Sequence, residues 1–285
     1  MLASFFCNHT VRCCNYNSHP YNFMNTTIDA QPPTMTVSGT VARIALRRPK
    51  HANRIETPDL DALVEFFAEL KHSKQIRAVI LQSEGRYFSA GYDIGQVAEI
   101  AVAQPDGPID NPFEALVEGL ESLPQVTIAR LHGGVYGGST DLALACDFRV
   151  GTPATEMFMP AAALGLLYYP SGIKRFVSRL GLNEAKRLFL LGEKTHADDM
   201  LRIGFLTDLV ADGELDKRVD ALAQRVATLA PLAVSETKRA MNALGRDEFD
   251  LADFKDCEAR ILRSSDLREG LTAWKEKRPA TFSGQ

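Results

Sequence analysis

Residues 128–150 read I-A-R-L-H-G-G-V-Y-G-G-S-T-D-L-A-L-A-C-D-F-R-V and hold the residue types best suited to chemistry. Glycines at 133, 134, 137 and 138 separate an apolar run, Val126 to Leu131, from a helix-like run, Asp141 to Ala145. Such a density of glycine suits a backbone that turns sharply or approaches another group closely. If Gly138 opens a helix, its N–H is an unsatisfied donor and the helix dipole favours negative charge beside it. That is a place to hold an oxyanion. Asp141 could then serve in acid/base work or stabilise the first helical turn. Ser139 is not in a G-x-S-x-G setting, so a serine nucleophile is not expected. His132 reads as a structural hydrogen-bonding residue, Asp93 as a helix cap and Asp147 as a residue of its local turn.

The flanking segments must position this loop. Met35–Val37 and Val41–Leu46 read as two strands around Ser38-Gly39, and Pro49 takes the chain out of the sheet. Thr57-Pro58 reads as an N-cap followed by proline at the first helical position, opening a helix that runs to about Lys71. Ile76–Gln82 is the next strand, giving a βαβ-like order and a largely parallel sheet. A helix after Asp93 is followed by residues 103–112, which read as a mobile loop. A helix from about Phe113 to Leu123 leads to the strand at 126–131. Further short strands are predicted at Phe148–Val150 and Met157–Met159, then an irregular loop over Leu164–Gly172. Helices follow at 173–180, 183–191, 196–202, 214–228, 231–243 and 249–276, with Asn183 and Thr195 as caps.

The chain has 285 residues, 45% hydrophobic and 24% charged, an ordinary globular composition. A net charge of −4 argues against a nucleic-acid footprint. No apolar run approaches the roughly 18 residues that span a bilayer. Three of the five cysteines fall at 7, 13 and 14, leaving Cys146 and Cys257 for the body. That is not a disulfide framework, so a reducing compartment is expected. The spacing of Cys7, His9, Cys13 and Cys14 fits no standard zinc pattern, and no metal is expected. Residues 1–34 read as a disordered or mis-assigned extension, with Met24 or Met35 as the natural start. The predicted organisation is thus 1–34 extension, 35–212 α/β core and 213–285 helical oligomerisation region. A cytoplasmic location is expected, or mitochondrial or another organelle if residues 1–34 are a targeting segment.

Several motifs in order carry a family resemblance over about residues 36–283. They are R-P-K-x-A-N (from Arg48), F-S-A-G-Y-D-I (from Phe88), G-G-V-Y-G-G-S-T-D-L-A-L-A-C-D (from Gly133), M-P-A-A-A-L-G (from Met159) and G-L-T-A-W-K-E-K-R-P-A-T-F (from Gly270). The chain resembles the crotonase superfamily, the enoyl-CoA hydratase/isomerase family. The resemblance implies an α/β fold, a ClpP/crotonase-like spiral of ββα units with a C-terminal helical region. It implies an acyl-CoA thioester substrate, coenzyme A being part of the substrate, with no tightly bound cofactor. It implies a lyase or isomerase that holds the thioester oxygen of an enolate with two backbone N–H groups, those of Tyr92 and Gly138. Coenzyme A would lie against Lys50, His51, Ala52, Ser89, Ala90, Asp93 and Ile94, with Lys277 as a phosphate contact. A homotrimer or a dimer of trimers is the assembly so implied.

Two positions depart from the hydratase pattern. Asp141 stands where hydratases carry their first glutamate, one methylene shorter. Ala161, after Pro160, stands where they carry the second, so one acid/base partner is missing. Another subgroup has an aspartate where this chain has Tyr169. The pattern V-[WY]-G-G-[AS] and a tyrosine three residues after Leu164-Gly165, here Tyr168, resemble methylmalonyl-CoA decarboxylase-like members. Tyr168 could donate a proton, a phenol's pKa being about 10, or serve as pocket wall. An acyl-CoA decarboxylase or thioester hydrolase, or a non-catalytic acyl-CoA binding protein, are the alternatives. A dinucleotide-binding domain is disfavoured, because the glycines read G-G-x-x-G-G and no acidic residue follows about 20 residues on.

Overall fold

The computed structural model describes residues 31–96, residue 102 and residues 110–285. The expectations for residues 1–30 and for the loop at 103–109 lie outside the described residues. The chain opens with strands β1 (Gln31–Ser38) and β2 (Val41–Arg47), an antiparallel hairpin. Helix α1 (Thr57–His72) crosses to β3 (Ala78–Ser83), and α2 (Pro112–Glu121) crosses to β4 (Val126–Arg130). Strand β5 (Gly134–Tyr136) leads to α3 (Gly138–Ala145), then β6 (Phe148–Gly151) and β7 (Glu156–Phe158). Helix α4 (Pro170–Leu180) follows, then the short helices α5 (Leu182–Lys186) and α6 (Ala197–Arg202), and the short strands β8 (Thr195–His196) and β9 (Asp208–Leu209) complete two sheets. The larger runs β1-β2-β3-β4-β6-β9, parallel from β2 onward; the smaller runs β5-β7-β8. The repeated unit is a strand in the large sheet, a short strand in the small sheet, then a helix. Turned through successive units, it gives the crotonase spiral.

Burial of both faces holds the large sheet. In β3, Val79 and Leu81 join the main core, while Ala78 and Ile80 face a second layer. That layer is helix α7 (Leu215–Ala227), presenting Leu215, Val219, Ala223 and Val226. A parallel strand covered on both sides reads as an apolar run, as β3 does. The C-terminal helices continue as α8 (Pro231–Gly245), α9 (Leu251–Leu262) and α10 (Ser265–Glu276).

Local chemistry revises several expected boundaries. Glu56, not Thr57, caps α1, sharing a capping box with Asp59, whose carboxylate accepts from the Glu56 N–H at 2.9 Å. Pro58 therefore falls one position later than expected. Gly181 and His196, rather than Asn183 and Thr195, precede the helices that begin at Leu182 and Ala197. The expected helix over 249–276 breaks at Ser264, whose hydroxyl accepts from the Leu267 N–H at 3.1 Å and starts α10. The loop expected to run to Gly172 ends earlier, because Pro170 sits in the first helical turn of α4. Asp147 does not serve its own turn. Its Oδ2 accepts from the Thr127 N–H at 2.7 Å and meets Lys238 Nζ at 2.8 Å, tying β4 to α8.

One buried ionic cluster fixes α2, α4 and α8 together. Glu121, 4% exposed, receives Arg179 Nη2 at 2.7 Å, Arg175 Nε at 3.1 Å and Arg246 Nη1 at 3.2 Å. Burial alone would push the Glu121 carboxyl up; the three guanidiniums outweigh it and hold it below the ordinary range. A carboxylate held low contributes stability that is complete above about pH 4.3 and lost as pH falls through its native value. Glu121→Gln leaves buried guanidinium charge uncompensated, so denaturant unfolding at neutral pH should show a loss of about 3 kcal/mol. The same variant should lose part of the wild-type decline in stability below that pH.

Candidate active site

Two loops meet beside α3. The first is positioned by Asn53, buried and held at φ +52°. Its side-chain amide donates to the carbonyls of Glu84 at 2.7 Å and Tyr87 at 2.8 Å, and its oxygen accepts from the Arg48 N–H at 2.8 Å. The Ser89 hydroxyl donates to the Asn53 carbonyl at 2.7 Å and accepts from the Gly91 N–H at 3.0 Å. Ile55 bridges in parallel to Tyr92: the Ile55 N–H donates to Gly91 O at 2.9 Å, and the Asp93 N–H donates to Ile55 O at 3.0 Å. Alternation along an extended backbone therefore turns the Tyr92 N–H away from Ile55, toward α3.

Gly138 is the first residue of α3, so its N–H has no partner within the helix. At Gly91 the two loops meet backbone to backbone. Gly91 lies at φ +89°, and a Cβ there would stand 2.7 Å from Gly138 N and 2.7 Å from Tyr136 O. A Cβ on Gly138 would stand 2.8 Å from the Phe113 ring and 3.4 Å from Tyr92 N. Gly91 thus excludes a side chain, Gly138 admits one only if the Phe113 ring moves, and Tyr92 and Gly138 both line one cavity. The Ser139 hydroxyl, fully buried, donates to Ser89 O at 2.8 Å and Tyr136 O at 2.7 Å, stapling one loop to the other.

The cavity measures about 160 Å³ and is lined by Tyr92, Phe113, Ala161, Tyr168 and Tyr169 among others, with no charged side chain among the described residues of its wall. Tyr92 stacks on Phe113 with ring centroids 5.3 Å apart, and Tyr168 stacks on Tyr169 at 4.2 Å. The Tyr92 side chain thus shapes the wall while its backbone faces Gly138. Asp141 stands one layer behind. It is fully buried, and its Oδ2 accepts from the Tyr169 hydroxyl at 2.6 Å and from Arg175 Nη1 at 2.6 Å. Its Oδ1 has no hydrogen-bond partner. The Tyr168 hydroxyl donates to that of Tyr169 at 3.0 Å. Burial pushes the Asp141 carboxyl up, against the pull of Arg175 and of the Tyr169 hydroxyl.

The remaining expected positions separate into three groups. Ala90 and Ile94 line the cavity. Ser89 and Asp93 have their side chains committed to the loop itself. Asp93 Oδ1 accepts from the Gly95 N–H at 3.0 Å, as a cap should. Lys50 and His51 are exposed on a short turn, Pro49–His51, and the carbonyl of Ala52 accepts from the Ala90 N–H at 2.8 Å. Lys277 is exposed at the end of α10 and is not among the residues of the cavity wall. His132 Nε2 donates to Gly85 O at 2.8 Å and its Nδ1 accepts from Arg130 Nη1 at 3.1 Å, a structural setting. Tyr169, Arg175 and Glu121 were not singled out in the sequence. The signal for the first was the Tyr168-Tyr169 doublet before Pro170; the other two look like ordinary helix charges. Among the described residues no group of three or more His, Cys, Asp or Glu could hold a metal ion.

Packing, then the negative charge of Asp141, pushes both Tyr168 and Tyr169 well above the usual phenol range. In a spectrophotometric titration of the folded protein, the phenolate absorbance step should therefore keep its amplitude in the Tyr168→Phe/Tyr169→Phe double variant. The two missing phenolates should show only in the step that accompanies alkaline unfolding.

The family model described as enoyl-CoA hydratase/isomerase matches residues 36–285. The short-chain-enoyl-CoA hydratase of Clostridium acetobutylicum is 29% identical over 245 residues, covering 84% of this chain and 93% of that protein. The carnitinyl-CoA dehydratase of Salmonella typhi is 30% identical over 259 residues, covering 88% of this chain and 98% of that protein. Among solved structures, an enoyl-CoA hydratase from Bacillus anthracis superposes with a TM-score of 0.79 at 26% identity, covering 90% of this chain and 100% of that one. With the crotonase spiral and the paired glycine loops on the same residues, the chain belongs to the enoyl-CoA hydratase/isomerase family.

Proposed function

We propose that this protein acts on an acyl-CoA thioester, as a lyase or isomerase whose reaction passes through an enolate. In this reading the thioester oxygen lies between the N–H groups of Tyr92 and Gly138. As a bond at the α-carbon breaks, negative charge grows on that oxygen, and the two donors stabilise it where it forms. One such donor contributes about 2.7–4 kcal/mol to the transition state. The observation that supports the reading is the close approach of Gly91 to the Gly138 backbone, with Tyr92 and Gly138 both among the residues that line an apolar cavity. Coenzyme A runs along Lys50–Ala52 and Ser89–Ile94, with Lys277 as a phosphate contact. The proton is handled at the far wall by Tyr168.

A specific feature favours decarboxylation as a second reading. Ala161 lines the cavity where hydratases place a glutamate, so that position supplies no carboxylate to the acyl group, and none is found among the described residues of the wall. Water addition by two carboxylates lacks a partner there. Loss of carbon dioxide from a malonyl-type thioester forms the same enolate and needs only a proton donor.

Assembly as a homotrimer or a dimer of trimers belongs to the same reading. Its support is the apolar surface of the last helices, where Trp274 is 85% exposed and Leu262 63% exposed.

The test is exchange of the α-protons of butyryl-CoA in heavy water, followed by mass spectrometry, beside turnover of crotonyl-CoA and methylmalonyl-CoA. The wild type should incorporate deuterium. Gly138→Ala, whose Cβ displaces the Phe113 ring, should lower the melting temperature while the protein stays folded at 25 °C, and should slow exchange by about 10²–10³-fold. Hydration of crotonyl-CoA at rates typical of enzymes, with no α-exchange, would overturn the reading. Release of carbon dioxide from methylmalonyl-CoA alone would select the second.

A further inference from the structure

We propose that Tyr168, Tyr169 and Asp141 form a proton relay, with Asp141 as the buried terminus that receives the proton taken from the acyl group. The inference rests on the enolate reading above and adds where the proton goes. Asp141 is fully buried and contributes nothing to the cavity wall, so it cannot meet the substrate itself. Two hydroxyls join it to the cavity: Tyr168 donates to Tyr169 at 3.0 Å, and Tyr169 donates to Asp141 Oδ2 at 2.6 Å. Both hydrogens point inward along the chain. That leaves the lone pairs of the Tyr168 oxygen, at the outer end of the chain, to accept a proton from the cavity that Tyr168 lines.

The step balances without any further reagent. The α C–H bond breaks, and its electron pair forms the enolate, with the charge on the thioester oxygen. The proton binds the Tyr168 oxygen, the Tyr168 proton passes to Tyr169, and the Tyr169 proton passes to Asp141. The products are an enolate, two neutral phenols and a neutral carboxyl. Run in reverse, the same chain protonates the enolate. Burial raises the proton affinity of Asp141, whereas Arg175 Nη1 at 2.6 Å lowers it, so the carboxyl can both take and return a proton. Glu121 also bears on Asp141 from α2, and Glu114 bears on Tyr168. Gly172 makes the stacking possible, since a Cβ there would stand 2.4 Å from the Tyr168 ring and 2.7 Å from the Tyr169 ring.

The experiment is butyryl-CoA exchange in heavy water across pH, for the wild type, Tyr169→Phe, Asp141→Asn, their double variant and Gly138→Ala. Tyr169→Phe keeps the ring and its stacking and removes only the connecting hydroxyl. Each single variant should slow exchange about 10²–10⁴-fold, and the double variant should be no slower than either, since the groups act as one unit. Wild-type exchange should fall as pH drops through the titration of Asp141, and this limb should vanish in Tyr169→Phe. Exchange by Tyr169→Phe at the wild-type rate, with the acid limb intact, would overturn the relay. Asp141→Asn cuts the chain at its other end and decides the matter independently if Tyr169→Phe fails to fold. Wild-type exchange by Gly138→Ala would instead sink the enolate reading, leaving the two failures distinct.

Discussion

The contact between Gly91 and Gly138 is the constraint on which the rest of the site depends. The backbone at Gly138 and Tyr136 approaches Gly91 so closely that Gly91 can carry no Cβ, and the Phe113 ring closes the space beside Gly138. Their separation along the chain is spanned by α2, β4 and β5, so every element between them must deliver the second loop to the first. The parallel register of β3 and β4 does this from below, and the bridge between Ser89 and Val135 does it from the side. The core beneath is packed on both sheet faces, which leaves the loops little room to shift.

Polarity is graded around the cavity. Nearest the cavity the described wall is aromatic and apolar. One layer deeper come two phenol hydroxyls, then Asp141 and Arg175, then Glu121 with two more arginines. Each charge is neutralised by the next, so a net charge never faces the apolar pocket. An isolated buried carboxylate would be costly; here the guanidinium behind it offsets much of that cost.

Short-range signals made much of this legible in the sequence. The hairpin at Gly39, the strand order, the glycines at 133–138 and the A-G-Y-D segment are local patterns, and local backbone chemistry decides them. The helix boundaries at Glu56 and Ser264 were harder, since polar residues adjacent to the chosen ones compete equally well for the cap. The deep layer was not legible at all. Asp141 and Tyr169 are 28 residues apart and Glu121 and Arg246 are 125 apart, and their pairing follows only from how the helices cross. Arg175 occupies a helix position that a sequence reader would assign to solvent. The reach of Asp141 was legible as a residue type but not as a depth.

The Ser139 hydroxyl makes the two loops one mechanical body. It bonds to a carbonyl from each, in the dry interior, where no water competes for it. A rigid body of this kind cannot reorganise when charge appears in front of it. In the proposed reading, the work of orienting its dipoles is done once, as the chain folds, and is not repeated at each turnover. On that reading, whatever loosens the staple at Ser139 would also unsettle the spacing of the two proposed donors.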